Sequence, residues 1–228
     1  MDLLDESSDD DAESTKDRGR VTFVSSRDEM PLVRSQAHVP GTWAGHCYCC
    51  IALSNSDQLF ATRCIEAVIE MAENLGYTGN CLRHEEFHIS VSRPFYLQIS
   101  NLEPFVRSLK ERIRMLQAFS ISISYSPKIL RNDEYTRSFL VWTVHAPILP
   151  TMVEQCNEIL ELYDQPPFYE PPIFHISLAS FVPPLPELGS ISSPHFADDD
   201  SDESDSPLLI SELRCSFGTT LHHRIPLS

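Results

Sequence analysis

One tetrapeptide, Phe-His-Ile-Ser, occurs twice in the 228-residue chain, at residues 87–90 and 174–177. Each copy lies in a stretch where apolar and polar residues alternate (FHISVSR and IFHISLASF), which is the pattern of a half-buried β-strand. The two copies are too far apart to be neighbouring repeats of a solenoid. The duplication therefore predicts two similar lobes, each of which contributes one strand to a shared cleft.

The His-x-Ser spacing predicts which side chains face this cleft. Residues i and i+2 of a strand point to the same side, so His88 lies beside Ser90, and His175 lies beside Ser177. The phenylalanine and isoleucine of each motif then face the core. If the two strands lie side by side, two imidazoles and two hydroxyls converge on one cavity.

Two imidazoles and two hydroxyls suit the transesterification of a phosphodiester. One neutral imidazole takes the proton of a ribose 2′-hydroxyl, while the other, protonated, gives a proton to the leaving 5′-oxygen. Histidine suits both roles because its pKa lies close to neutral pH and shifts readily with its surroundings. The serine hydroxyls donate hydrogen bonds to phosphate oxygens as charge develops. This chemistry needs no metal and no cofactor.

The rest of the chain predicts a mixture of strands and helices, which is an α+β fold. Alternation and apolar runs predict strands at 43–53, 87–93, 119–125, 136–145 and 173–181, with a closing hairpin at 210–215 and 221–227. Pro127 is expected to end the third of these strands. Helical spacing predicts three helices, the first capped by Ser56 or Asp57 and the second by Asn101.

The net charge of −16 is concentrated in two short segments. Residues 1–17 carry eight acids and one lysine, and residues 198–205 carry six more acids. Without them, the chain's 33 acids and 17 bases fall to 19 and 16, so the remainder is near neutral. Such acidic runs repel themselves and have little to bury. We therefore predict a disordered acidic tail at 1–30 and a single domain at 31–228, interrupted by a disordered acidic insertion at about 183–206.

The seven cysteines lack the spacing of a disulfide framework, which favours free thiols in a reducing compartment. The first residues contain no apolar segment of signal-peptide length, and no apolar run approaches a membrane span. We therefore expect a soluble, intracellular protein that does not associate with membranes. Cys47, Cys49 and Cys50 beside His46 raise a zinc alternative, but they lack a matching second pair of ligands. Buried free thiols are the preferred interpretation.

Taken in order, these motifs resemble the two-histidine (2H) phosphoesterase superfamily, and within it the U6 small nuclear RNA 3′-end processing phosphodiesterase family. The resemblance runs from about Val33 to Ser228, apart from the acidic insertion. It rests on both His-x-Ser motifs, on HVPGTWAGHCY with its Gly-x-Trp-x-x-His, on YTRSF with its Thr-Arg-x-Phe, and on the lead-in FYEPP. The segment 213–227 is similar to the closing hairpin of the family.

The resemblance implies a fold, an activity and roles for five residues. It implies a two-lobed, pseudo-symmetric 2H phosphoesterase fold, in which antiparallel sheets form a central cleft and helices pack outside. It also implies a metal-independent 3′-to-5′ exoribonuclease that trims the uridine tail of U6 RNA, leaving a 2′,3′-cyclic phosphate or a 3′-phosphate. His88 and His175 match the catalytic pair, Ser90 and Ser177 match the phosphate-binding serines, and Tyr169 matches an aromatic that stacks on a terminal base. His175 is favoured as the base and His88 as the acid, although pseudo-symmetry leaves the reverse open.

The partner implied by the resemblance is the uridine-rich, single-stranded 3′ end of U6 RNA, bound in the nucleus by a monomer. Four basic residues are candidate phosphate contacts: Arg93, Lys128, Arg131 and Arg137. Two other functions stay open. One is a 2′,3′-cyclic phosphodiesterase or RNA-ligase-like member that acts on cyclic phosphate ends. The other is a non-catalytic RNA-binding protein of the same fold.

Overall fold

The computed structural model describes residues 20–24, 40–189, 191 and 207–228. These residues form eleven strands and three helices. The strands are β1 (Thr22–Val24), β2 (Thr42–Ile51), β3 (Asn80–Arg83), β4 (Phe87–Ser90), β5 (Phe95–Gln98), β6 (Phe119–Arg131), β7 (Ser138–His145), β8 (His175–Val182), β9 (Leu208–Ile210), β10 (Glu212–Phe217) and β11 (Leu221–Pro226). The helices are α1 (Asn55–Asn74), α2 (Ile99–Ile113) and α3 (Leu149–Glu161). None of these three helices has the length and apolar character needed to cross a membrane.

The strands join side by side in the order β11-β10-β2-β4-β8-β7-β6-β9. In addition, β5 pairs with β2, and β3 pairs with both β8 and β1. All of these pairings are antiparallel except that of β1 with β3. The two strands that carry the duplicated motif, β4 and β8, are neighbours in the middle of this order. The predicted α+β fold with mainly antiparallel sheets and outer helices is confirmed.

The two lobes do not correspond to the two halves of the sequence, because the helices cross between them. Phe60 of α1 stacks on Trp142 of β7, with ring centroids 5.6 Å apart, so the first helix covers strands of the second half. Phe105 of α2 packs against Phe95 of β5 and Phe217 of β10, at 5.0 and 6.1 Å. One lobe therefore consists of β2, β4, β5, β10 and β11 with α2 and α3. The other consists of β1, β3, β6, β7, β8 and β9 with α1.

Two predicted helix starts are wrong. Ser54, rather than Ser56 or Asp57, caps α1, and Asp57 is its N3 residue. The second helix begins at Ile99 directly after β5, with Gln98 as an extended N-cap, so Asn101 lies inside the helix. Capping polar residues mark the neighbourhood of a helix start, but the preceding strand determines where the helix begins.

The predicted end of a strand at Pro127 is also wrong, because β6 continues to Arg131. The register of β6 against β7 shifts between Ser124 and Lys128, and Pro127 lies inside that irregularity. A proline cannot donate to the strand ladder, and a bulge is one of the places where a strand accepts one. The long hairpin of β6 and β7 therefore extends past the proline.

The predicted tail and insertion contain ordered segments. Residues 22–24, within the predicted tail, form β1 beside β3, because their apolar and β-branched side chains follow the last acidic residue of the run. At the start of the predicted insertion, Leu185 is buried, and its backbone N–H donates to the Ser138 hydroxyl at 3.0 Å. Residues 1–19 and 192–206, which hold both acidic runs, lie outside the described residues.

One buried carboxylate joins α1 to the sheet. The backbone N–H of Asp57 donates to the Ser54 hydroxyl at 3.1 Å, and the Asp57 carboxylate accepts from the backbone N–H and the hydroxyl of Ser54. Its other oxygen accepts from the Tyr125 hydroxyl of β6 at 2.8 Å. Burial raises the pKa of Tyr125, so the phenol keeps the proton that it donates to Asp57. Asp57 thus serves both as a helix cap and as a tertiary contact.

We expect Asp57→Ala to lower the free energy of unfolding by about 1–3 kcal/mol, because it removes a capping box and the hydrogen bond from Tyr125 that joins α1 to β6. Urea unfolding followed by circular dichroism measures the change. Glu70→Ala, an exposed position on the same helix, is the matched control and should change stability by less than about 0.5 kcal/mol. Equal effects of the two substitutions would contradict the role given to Asp57.

Candidate active site

The two His-x-Ser motifs meet where β4 and β8 pair. Ile89 lies opposite Ile176 in this antiparallel pairing, so the register places His88 opposite Ser177 and Ser90 opposite His175. Both isoleucines are fully buried on one side of the sheet. Their neighbours in sequence therefore point to the other side, where all four polar side chains are partly exposed. A pseudo-twofold axis passes between the two isoleucines and relates one motif to the other.

This arrangement sets the separation of the two imidazoles. Directly opposite residues on neighbouring strands lie close together, whereas diagonal ones such as His88 and His175 have backbones roughly 7–8 Å apart. Two histidine side chains that reach forward from such positions can contact opposite sides of one phosphate group. Each histidine also has the serine of the other motif directly across from it. The geometry suits an acid and a base that act on the same phosphodiester.

His175 has a defined tautomer. Its Nδ1 lies 2.7 Å from the carbonyl oxygen of Ile173. A carbonyl oxygen only accepts hydrogen bonds, so Nδ1 carries a hydrogen, and in the neutral ring Nε2 keeps a lone pair. Burial lowers the pKa of His175 below its ordinary value of 6.5, against a smaller upward effect of the bond to Ile173. Near neutral pH, His175 is therefore an uncharged imidazole with an Nε2 acceptor, as a general base requires.

His88 lies in a cluster of rings supplied by β2. Its ring is 5.5 Å from that of His46 and 5.3 Å from that of Tyr48, both in edge-to-face contact. His46 and Tyr48 stack on each other at 5.1 Å. The Nε2 atom of His46 is 3.0 Å from the hydroxyl oxygen of Ser90. The surroundings of His88 are thus aromatic and polar, and they differ from those of His175.

Tyr169 lies in the loop before β8, with 42% of its surface exposed. The guanidinium of Arg93 lies over its ring, 4.4 Å from the centroid, and Arg93 also forms an ion pair with Asp133. Tyr169 directly follows Phe168, whose ring stacks on that of Phe174 with centroids 5.9 Å apart. Because Arg93 lies against one face of the tyrosine, a flat partner can stack on the other. Of the four candidate phosphate contacts, Arg93 is engaged in this way, and Arg131 donates to the carbonyl of Leu185.

A positive charge flanks the site on the β10 side. Arg214 lies opposite Tyr48, which in turn lies opposite Ser90, so these three side chains share one face of the sheet. Glu212 accepts from Arg214 at 2.7 Å and from Arg224 at 2.8 Å. The pKa of Glu212 is lowered, chiefly by the hydrogen bond from Arg224. Two guanidiniums and the Glu212 carboxylate thus lie on this side of the site, and Glu86 adds a second carboxylate whose charge also acts on Tyr48 and Cys50.

The cysteine residues next to His46 do not form a metal site. All seven cysteines are free, and Cys47 and Cys49 are fully buried on the core side of β2, away from His46. Burial raises the pKa of both thiols, so they stay protonated. Among the residues that the structure describes, no group of three or more histidine, cysteine or acidic side chains could hold a metal ion. Cys47 and Cys49 are thus buried and have no disulfide partner, as expected, whereas Cys50 is only partly buried.

The structure brings together the four predicted His and Ser side chains and adds His46 and Tyr48, to which the sequence analysis gave no role in the site. His46 entered that analysis only through the zinc alternative and the Gly-x-Trp-x-x-His motif, and Tyr48 only as part of a strand, whereas Arg93 was a candidate phosphate contact. Alternation along β2 predicts that His46 and Tyr48 share one face of the strand. The sequence did not reveal that β2 pairs with β4, so it did not show that this face belongs to the site.

We expect nuclear magnetic resonance of His175 to show hydrogen on Nδ1 in the neutral ring and a pKa below 6.5, because burial disfavours the cation. A comparison with the spectrum of His175→Gln assigns the signal. Because the pKa of His175 is lower in the folded chain than in the unfolded one, the unfolded chain binds the second ring proton more readily. The free energy of unfolding should therefore decrease as pH falls below 6.5. A neutral ring with hydrogen on Nε2, or a pKa above 6.5, would contradict the assignment of His175 as a base.

Known proteins are similar to this chain in sequence. Residues 8–224 match the model of a family named HVSL and described as an uncharacterised conserved protein. Two relatives are named U6 snRNA phosphodiesterase 1. The Bos taurus protein is 33% identical over 150 residues, which cover 64% of this chain and 54% of the relative. The Xenopus laevis protein is 32% identical over 170 residues, which cover 73% of this chain and 60% of the relative. The chain thus spans little more than half the length of these relatives.

Solved structures support the fold. Usb1 of Kluyveromyces marxianus superimposes with a TM-score of 0.56 at 15% identity, over 81% of this chain and 98% of that one. Its structure with uridine monophosphate gives a TM-score of 0.55 at 16% identity, with the same coverage. The predicted two-lobed 2H phosphoesterase fold and the predicted resemblance to U6 small nuclear RNA phosphodiesterases are confirmed. The chain belongs to the HVSL family.

Proposed function

We propose that this chain is a metal-independent 3′-to-5′ exoribonuclease that trims the 3′ uridine tail of U6 small nuclear RNA by transesterification. The observation that carries the proposal is the pairing of β4 with β8, which places two histidines and two serines on one face of the sheet. Two relatives named U6 snRNA phosphodiesterase 1 support the substrate. A metal is not needed because the four side chains supply an acid, a base and hydrogen-bond donors.

The reaction begins at the 2′-hydroxyl of the next-to-last nucleotide. Nε2 of His175 accepts the proton of this hydroxyl, because its lone pair is free while Nδ1 donates to Ile173. The 2′-oxygen then bonds to phosphorus, and the bond from phosphorus to the 5′-oxygen of the last nucleoside breaks. His88, protonated, gives its proton to that leaving oxygen. The products are the released nucleoside and an RNA end with a 2′,3′-cyclic phosphate.

The two serines stabilise the charge that builds on phosphorus during this step. Ser90 and Ser177 lie beside the histidines, and each can donate its hydroxyl hydrogen to a non-bridging oxygen. A second step, in which water attacks the cyclic phosphate and the two histidines exchange roles, would leave a 3′-phosphate instead. Both ends remain part of the proposal, and the masses of the products distinguish them.

Tyr169 is proposed to hold the terminal uracil. Its ring has one face against Arg93 and is 42% exposed, so a base can stack on the other face. Usb1 from Kluyveromyces marxianus, a protein of the same fold, has a structure with uridine monophosphate, which supports a uridine as the ligand. One chain supplies all the proposed site residues, which supports a monomer. The proposed substrate implies that the protein acts in the nucleus.

We expect His88→Ala and His175→Ala each to lower kcat by about 10²–10⁴-fold on an RNA that ends in uridines, because each removes a proton-transfer group. Binding of the same RNA, measured by fluorescence anisotropy, should be largely kept. His222→Ala, on the edge strand β11, is the matched control and should cleave like the parent. If either site variant cleaved at the parental rate, the proposed mechanism would be wrong. A non-catalytic RNA-binding protein would show no cleavage even with the parent chain.

We expect Tyr169→Ala to raise KM for uridine-ended RNA by about 5–150-fold, the equivalent of one lost stacking contact. Tyr169→Phe should retain the parental KM, because the ring remains and only its hydroxyl is lost. Arg93→Gln should fall between the two, since the ring loses the cation that packs against it. Steady-state kinetics over a range of RNA concentrations give KM separately from kcat. A KM for Tyr169→Ala equal to that of the parent would remove Tyr169 from the binding site.

A further inference from the structure

The two motifs are identical in sequence, but the strands beside them are not. On β2, Tyr48 lies opposite Ser90, and His46 reaches the Ser90 hydroxyl at 3.0 Å. On the other side of the site, β7 places Val141 opposite Ser177. Valine has no hydrogen-bonding side chain, and Val141 is fully buried. The pseudo-twofold symmetry of the motifs is therefore broken at the serines.

We propose that His46 is a positioning residue that directs the hydroxyl hydrogen of Ser90 towards the phosphate. This inference rests on the proposed function, in which Ser90 binds a non-bridging phosphate oxygen. His46 does not itself contact the reacting atoms. It acts by donating a hydrogen bond from Nε2 to the oxygen of Ser90.

The direction of this hydrogen bond follows from the inventory of donors and acceptors. A serine hydroxyl has one hydrogen to donate and two lone pairs that accept. A phosphate oxygen only accepts, so Ser90 must give that one hydrogen to the phosphate. The contact with His46 can then form only if Nε2 of His46 carries a hydrogen and donates. Either the Nε2–H tautomer or the imidazolium of His46 supplies it, so the role does not depend on the charge of His46.

The surroundings of His46 hold its ring in the orientation that this role requires. The ring stacks on Tyr48 at 5.1 Å and meets the edge of His88 at 5.5 Å. It is partly buried on β2, one strand away from the motif that it serves. A donor whose position is set by packing can orient a small hydroxyl without reorganising during the reaction. On β7, the residue directly opposite Ser177 is Val141, whose side chain cannot donate, so we expect Ser90 to depend on its neighbouring strand more than Ser177 does.

Four variants and two double variants test this role. His46→Phe keeps a flat ring that can pack against Tyr48 and His88 but removes the donor. His46→Gln places an amide N–H near the former Nε2. We expect His46→Phe to lower kcat/KM by about 10-fold, within the range of measured couplings between contacting residues. We expect His46→Gln to recover most of that loss.

The double variants separate positioning from packing. If His46 acts through Ser90, adding His46→Phe to Ser90→Ala should cost less than about twofold further. Adding it to Ser177→Ala should cost the same about 10-fold as in the parent, because Ser177 is not its partner. A full additional loss on the Ser90→Ala background, or a His46→Gln variant as slow as His46→Phe, would overturn the proposal and leave His46 a packing residue.

The same variants are also compared by their affinity for uridine 3′-monophosphate, measured by calorimetry. His46→Phe should weaken this affinity in the parent but not on the Ser90→Ala background. This readout does not depend on RNA cleavage. If the parent chain failed to cleave RNA, the proposed function would fall, while the affinities would still decide whether His46 positions Ser90 towards a phosphate. Equal weakening on both backgrounds would contradict the inference by itself.

Discussion

The pairing of β4 with β8 at Ile89 and Ile176 is the interaction on which the site depends. It joins the two lobes in the middle of the strand order, and its buried isoleucines anchor the motifs from the core side. Because side chains alternate along a strand, the same register that buries the isoleucines turns the histidines and serines outward together. A slip of either strand by one residue would exchange the faces of that strand, so that its imidazole would be buried and its isoleucine exposed. The hydrophobic core and the site are therefore two consequences of one strand register.

Identical motifs acquire different chemistry from their surroundings. Burial lowers the pKa of His175, and the carbonyl of Ile173 holds its hydrogen on Nδ1, which leaves Nε2 free to accept a proton. His88 lies instead among the rings of His46 and Tyr48. A pair of histidines with unlike environments can divide the roles of base and acid near neutral pH. The asymmetry that the duplicated motif leaves open is thus supplied by the loop before β8 and by the strand beside β4.

The duplication and its alternation were enough to predict that the two histidines and two serines share one face, because strand periodicity determines the face of each residue. Periodicity along the rest of the chain predicted most of the strands and all three helices. Strand partners are long-range contacts that a local pattern does not encode. The pairing of β2 with β4, which brings in His46, was therefore missed, as was the packing of α1 on strands of the other half. Local chemistry also misled at Pro127, where a register shift in the hairpin accommodates the proline. Local propensity thus indicated where a strand or helix lies, but tertiary packing determined its partners and where it ends.

The most direct test of the account is the mass of the fragments that the purified chain produces, in excess EDTA, from a short RNA ending in uridines. The account predicts stepwise loss of nucleotides from the 3′ end without added metal. A shortened RNA lighter by one water than the 3′-phosphate form would identify the cyclic end, and the heavier form would show that water has opened it. No cleavage in EDTA, with cleavage restored by a divalent metal, would contradict a mechanism in which His88 and His175 carry the proton transfers alone.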